Sequence, residues 1–472
     1  MRNICVNERI LMQIKRIIGT GMVLLVFCFF LSCEKWLDPG INKDPALATE
    51  VPVSALLPAI QLDMGYTLMG TNVILYTNCW MQIISYVGRG YPSSFPYQVT
   101  SYDFDYLWQS IYAKQLINAR HLTELAENEH SPYYAAVGQV LTAYVLGITT
   151  DLWGDIPYSD ALREQEVFRG PAYDSQEQIY KSIFHLLDQA IGNLHMDASR
   201  NLIDLDGDVY YSGDPGAWLN AARAIKARHT LQLARRNGSA SYLEALELTD
   251  AFASNADNMV CPFSGDNPNP IYQFMRERGD IRMCSTLLSE MEETDDPRIP
   301  FFYGEDVQGG ISGSEPGSMN YKASLPGEYL AGPAAPVNLM TFSELKFIEA
   351  EAALQTGDNE RASNAYKNAV AASLLQVTGS ANTDWLNDHI NIEDASTITL
   401  EKIIMQKRHA LVGQLQPYSD WRRTGIPELL PVQGTEPHTI PQRYPYPAIE
   451  IQLNGKNVPQ IDSLTVPVWW AE

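Results

Sequence analysis

The chain has 472 residues, of which 56 are Asp or Glu and 33 Lys or Arg, for a formal net charge of −23. So acidic a surface argues against a nucleic-acid partner, whose phosphates it would repel, and against adhesion to anionic lipid through basic patches. The length suffices to bury a large core, and no C-x-x-C pair is present to suggest a zinc site or a dithiol motif.

At the N-terminal end, Lys15 and Arg16 precede an apolar run from Met22 to Leu31 that turns abruptly polar after Cys33. The run suits the apolar region of an export signal and falls well short of the ~20 residues that span a bilayer. With small Ser32 ahead of Cys33, "FLSC" resembles a bacterial lipobox, in which the cysteine thiol receives the lipid and becomes the mature N-terminus. Residues 1–32 are thus expected to be a lipoprotein signal peptide, Cys33 the lipidation site, and 33–52, rich in Pro and polar residues, a tether. A single acyl chain anchors only marginally, whereas several hold a protein on a membrane. Beyond Cys33 no segment reads as apolar enough to span a membrane, and 53–472 is expected to form one globular body.

Helices dominate that body. "DYLWQSIYAKQLINARHLTEL" sets Leu107, Ile111, Leu122 and Leu125 on one face, and "YYAAVGQVLTAYVLGITT" carries small residues that allow close helix approach. "DSQEQIYKSIFHLLDQAIGNL" opens with a capping box, Ser175 to Gln178, and runs a stripe through Ile179, Ile183, Leu186, Ala190 and Leu194. In "AWLNAARAIKARHTLQLARR" the stripe includes His229, read as a hydrogen-bonded core histidine. "TFSELKFIEAEAALQTGDNERASNAYKNAVAAS" predicts two helices broken at Gly357-Asp358. Gly357, Ala362, Tyr366 and Ala369 resemble in spacing the small-and-aromatic set of a tetratricopeptide repeat. Residues 195–216 are acidic and turn-forming, and 301–336 are Gly-rich without a period. A non-periodic run of that length is usually functional. Cys79, Cys261 and Cys284 are expected as three isolated buried thiols.

In chain order, "DLWGDIPYSDAL", "GDPGAWLNAARAIKARHTLQLA", "DDPRIPFF", "TFSELKFIEAEAAL", "LEKIIMQKRHAL", "DWRRTGIPEL" and "IPQRYPYPAIEIQLN" resemble the SusD/RagB family of nutrient-binding outer-membrane lipoproteins, in particular its SusD-like branch. The resemblance implies a mostly α fold: a single large helical domain containing tetratricopeptide repeats, with loop insertions that build the ligand face. It further implies a surface lipoprotein that captures a nutrient, often an oligosaccharide, and serves a SusC-like TonB-dependent transporter of the outer membrane.

For the ligand, composition points to the aromatics that crowd the stretch Tyr76–Trp108, since Tyr and Trp join a flat apolar face to a polar tip. Trp80, Tyr86, Tyr91, Tyr97 and Trp108 are candidate stacking residues, with Gln82 or Asn78 as hydrogen-bonding partners. Tyr321 heads a second group with Tyr303 and Tyr329. The alternative for each ring is a place in the core. "DLDGD" offers Asp204, Asp206 and Asp208 as candidate calcium ligands, but the spacing fails the EF-hand pattern and a solvated acidic turn fits better, so no cofactor is expected. Arg422 and Arg423 read as helix-end caps or ion-pair partners. No catalytic signature is present and the protein is expected not to be an enzyme. A surface glycoside hydrolase, which needs only two placed carboxylates, and a tetratricopeptide scaffold that binds only protein stay open as alternatives.

Overall fold

The structure is a computed structural model that describes residues 52–88, 97–162, 170–432 and 439–472. Side-chain caps set where its helices begin. Ser175 Oγ accepts from the Gln178 amide at the head of Gln176–Leu194, and Asp214 accepts from Gly216 and Ala217 ahead of Pro215–Gln232, where Pro215 occupies the first helical position. Thr341 and Thr399 do the same for Phe342–Gln355 and Leu400–Ala410. Along Gln176–Leu194 the buried stripe is Ile179, Ile183, Leu187, Ala190 and Leu194, so Leu187 takes the place expected for Leu186, which is half-buried. Steps of four, four, three and four keep the stripe in phase with 3.6 residues per turn.

At the centre lies Pro132–Trp153, a 22-residue helix in which every residue from Tyr134 onward is buried. By length and composition it is apolar enough to cross a membrane, contrary to the expectation that no such segment follows Cys33. Its place inside the body shows it to be the central core helix. Neighbouring helices Ile117–Asn128 and Gln176–Leu194 pack on it, and it stops at Gly154, whose φ of +86° few other residues adopt. Gly147 lets Pro215–Gln232 approach: a Cβ there would fall 2.3 Å from His229 Cε1. His229 is buried as expected, but neither ring nitrogen has a hydrogen-bond partner. Burial and the charge of Arg228 push its pKa down to about 3, which keeps the ring neutral.

Phe342–Gln355 and Asn359–Thr378 form the expected helix pair, broken at Gly357 (φ +87°), with Ala362, Tyr366 and Ala369 buried between them. The stretch read as one helix over 105–125 is instead Asp105–Ser110, a π-helical segment Ile111–Leu116, and Ile117–Asn128. A second π-helical segment, Met64–Asn72, follows the helix Val53–Asp63. Two short antiparallel ribbons, absent from the sequence reading, complete the fold. One pairs β1 (Ile84–Tyr86) with β3 (Ile281–Met283), and the other pairs β2 (Met259–Cys261) with β4 (Val337–Met340). Strands of three or four residues are too short to show a period of two.

Several buried charges are paired. Arg228 meets Glu344 at 2.6 Å, Arg298 meets Asp296 at 2.5 Å, and Arg423 bridges Glu351 and Asp420, with Lys407 on Asp420 at 2.8 Å. Removing one member of such a pair strands the other without water, at a cost of roughly 3–5 kcal/mol. Arg422 caps the central helix through the Asp151 carbonyl and lies 4.0 Å over the Tyr418 ring. The reading of Arg422 and Arg423 as cap and ion-pair partner therefore holds in the structure.

Candidate functional site

Trp80 has no exposed surface; its indole packs 5.3 Å from the Tyr444 ring and 5.5 Å from Tyr418. Trp108 is also buried, edge-on to Trp153 at 5.2 Å and 4.7 Å from Tyr112. Both rings are used up in the core, a correction to their reading as stacking residues. The reason is helical phase: Phe104 and Trp108, four residues apart, face inward, while Tyr102 and Tyr106, half a turn away, face out.

Gln82 is buried in a left-handed conformation (φ +54°) and acts as a clamp between loops. Its Nε2 donates to the Leu430 carbonyl (2.7 Å), and its Oε1 accepts from the Thr286 hydroxyl (2.8 Å). Asn78 likewise holds Gln414 and Gly413, and buried Tyr97 accepts from the Val432 amide. Tyr303 is in the core and Tyr329 is packed against it. Tyr91 lies outside the described residues, as does Cys33.

The two remaining candidates, Tyr86 and Tyr321, are both attached to the β1–β3 ribbon. Tyr86 pairs with Ile281 in the ladder, and its half-buried ring lies 6.4 Å from Phe274. The Tyr86 hydroxyl donates to Asp280 Oδ2 (2.9 Å) and accepts from Arg278 Nη2 (3.0 Å), while Arg278 Nε donates to the same Asp280 oxygen (2.7 Å). That hydrogen bond to Asp280, with the nearby Tyr86, holds the Arg278 pKa above its ordinary value. One position along, Arg282 reaches from β3 to the carbonyl of Tyr321 (2.9 Å) and to Gly279 and Ile281, so the Tyr321 loop is tied to the ribbon with its ring 61% exposed. Burial lowers the Arg282 pKa. Gly88 is required beside this cluster, since a Cβ there would fall 2.2 Å from Asp280 Cγ.

Around Asp280 the half-buried Tyr86 and Phe274 rings therefore lie beside a fixed fork of guanidinium and carboxylate, and the exposed Tyr321 is held at the same ribbon through Arg282. This arrangement suits stacking on a flat, hydroxyl-bearing ligand with directional hydrogen bonds at its edge. Phe274, Arg278, Asp280 and Arg282 were missed by the sequence reading. The only signal was the spacing of arginines around Asp280 in "RERGDIRM", which has meaning only once β3 is known.

Elsewhere, Asp208 is the organiser of the acidic loop. Its Oδ1 accepts from Gln61 Nε2 (2.6 Å) and the Tyr210 amide (3.0 Å). Its Oδ2 accepts from the amides of Tyr211 and Gly213 and from Trp218 Nε1 (2.8 Å). Asp204 and Asp206 are exposed. Among the described residues no group of three or more His, Cys, Asp or Glu is arranged to hold a metal ion. Cys79, Cys261 and Cys284 are free thiols, and burial pushes the first two up to about 12.

A protein-family model of SusD-like proteins, described as "Starch-binding associating with outer membrane", matches residues 45–447. No curated protein matches the sequence. Solved structures do. A SusD/RagB family protein from Bacteroides thetaiotaomicron VPI-5482 superposes with a TM-score of 0.78 at 23% identity, covering 89% of this chain and 99% of that one. A chitin-binding protein gives 0.76 at 25% identity (89% and 100%), and a chitin-binding SusD homolog from Flavobacterium johnsoniae gives 0.74 at 20% (88% and 98%).

Proposed function

The chain belongs to the SusD-like family of starch-binding proteins that associate with the outer membrane, and from that premise we propose that it captures an oligosaccharide at the cell surface without cleaving it. In this reading the chain is held by lipid on Cys33 and hands its ligand to a SusC-like TonB-dependent transporter. The observation that carries the reading is the ribbon, where the half-buried Tyr86 and Phe274 rings flank the Arg278–Asp280 fork and the exposed Tyr321 is tied on through Arg282. Asp280 is already engaged by two donors there, which suits it to orienting a hydroxyl rather than delivering a proton. An α- or β-linked glucan or an N-acetylglucosamine chain fits such a face, in keeping with starch in the family description and chitin in two structural relatives.

Calorimetry of protein truncated after Cys33 tests this with malto- and chito-oligosaccharides. Tyr86→Ala and Tyr321→Ala should each weaken binding about tenfold while the fold is kept, and the recovered glycan should be intact by chromatography. Unchanged affinity in both variants would remove the ribbon as the site. Reproducible cleavage would replace capture by hydrolysis.

A further inference from the structure

A second aromatic face borders the helix Pro270–Glu277, at the residue before the one that packs on Tyr86. Tyr66 is 40% exposed, Tyr106 57% and Tyr102 70%. The Tyr66 hydroxyl donates to Gln273 Oε1 (2.9 Å), while the next residue of that helix, Phe274, packs on Tyr86. Burial, then the charges of Glu277 and Tyr106, raise the Tyr66 pKa. Lys114 Nζ stands 5.8 Å from the centre of the Tyr106 ring and 3.8 Å from Asp63.

Asp63 makes this face rigid. Its oxygens accept from Thr67, Ser110 and Gln115, and so fasten the segment that carries Tyr66 to the segments that carry Tyr106 and Lys114. Tyr66 sits in one π-helical stretch, Met64–Asn72, and Lys114 in the other, Ile111–Leu116. π-Helical turns are rare and are frequently found at functional sites. The core does not need these rings outward, since Phe104 and Trp108 already fill it from the same helical turns.

We propose that Tyr66 and Tyr106, with Tyr102 beside them, form a second sugar-binding platform that takes a further stretch of the same glycan chain. The proposal rests on the reading of the protein as a glycan binder, though not on the ribbon being its primary site. Ring-sized apolar faces beside Gln273 and Asp63, with Lys114 over one face of Tyr106, match pyranose rings edged by hydroxyls. A protein partner would require a broad patch of roughly 800 Å² per side, with a buried apolar centre. The helix Pro270–Glu277 contributes Gln273 to this face and Phe274 to the other, so a chain of several sugars can engage both. The second contact is then intramolecular and raises affinity for long chains alone.

The test measures affinity against chain length, with di- to octasaccharides of the glucan and chitin series and the purified polysaccharides as probes. Tyr102→Ala and Tyr106→Ala remove rings that are more than half exposed, so the melting temperature should stay at the wild-type value. Affinity for the longest oligosaccharides should fall about fivefold to tenfold and that for the shortest should not change. Equal affinity of variants and wild type at every length would overturn the platform. So would an equal loss at all lengths, or unchanged glycan binding with loss of a co-purifying barrel, which would make the face a protein contact. Failure of the wild type to bind any glycan would instead overturn the capture reading.

Discussion

Replacing Asp208 by Ala removes one carboxylate and leaves five donors without their acceptor: Gln61 Nε2, Trp218 Nε1, and the amides of Tyr210, Tyr211 and Gly213. Tyr211 and Gly213 lie near the surface and can recover water. Gln61 and Trp218 have no exposed surface, and Tyr210 very little. A buried donor that loses its partner costs about 1–3 kcal/mol, so two or three of them predict a loss of about 3–5 kcal/mol. Asp208→Asn retains one oxygen acceptor but turns an amino group toward several donors, and should fall between wild type and Ala. Urea denaturation followed by tryptophan fluorescence measures both, and an unchanged m-value would place the loss in the native state. Because both oxygens are occupied by protein donors, calcium or a chelator should leave the midpoint unmoved. A loss under about 1 kcal/mol for Asp208→Ala, or a midpoint that rises with calcium, would refute the argument.

Burial pushes the Asp151 carboxyl up to about 6, against the opposing pull of Arg422, Tyr180 and Trp470. The native state thus holds this proton more tightly than the unfolded chain, a contribution present below about pH 4 and lost as pH rises through 6. Asp151→Asn should therefore gain on wild type between those limits, by at most about 3 kcal/mol in urea titrations at pH 4 and pH 7.5. Gly147→Ala should destabilise by about 1–3 kcal/mol through its clash with His229, and Gly147→Ala combined with His229→Ala should recover part of that loss in a double-mutant cycle. Trp80→Ala should cost about 3–5 kcal/mol and change ligand binding only in proportion to the unfolded fraction, as thermal melts run beside calorimetry would show. Cys33→Ala should release the protein from the membrane fraction, and mass spectrometry of the wild-type mature N-terminus should find an acylated cysteine.

The helices were legible because their signals are local: Ser175, Asp214 and Thr341 cap what their neighbours' spacing predicts. Gly357 could be assigned to a turn for the same reason. The site was legible only as a neighbourhood. A crowd of aromatics marks the region, but which rings emerge depends on helical phase, and the π-helical segments shift that phase where 3.6-residue counting is applied. Tyr102 and Tyr106 against Phe104 and Trp108 carry the answer in their four-residue spacing once the inner pair is known. Gln82, by contrast, shows nothing of its role in sequence, since its partners Leu430 and Thr286 lie more than 200 positions away. The ribbon that assembles Tyr86, Asp280 and Arg282 is likewise a long-range pairing, formed by strands of three residues.

The central helix Pro132–Trp153 has a consequence for the newly made chain. On the proposed export through the Cys33 signal, the chain crosses the inner membrane unfolded, and each passing segment meets lipid before any core exists to hide it. With a mean hydropathy of 1.3 over its most apolar window, this segment is long and apolar enough to cross a membrane by length and composition alone. Gln139, Thr142, Thr149 and Thr150 are buried polar residues on it, and they lower its preference for lipid while it is in transit. Exchanging them for leucine would address two selections at once. The folded body would feel only altered packing, whereas the travelling chain would gain a stop-transfer sequence and be stranded in the wrong membrane.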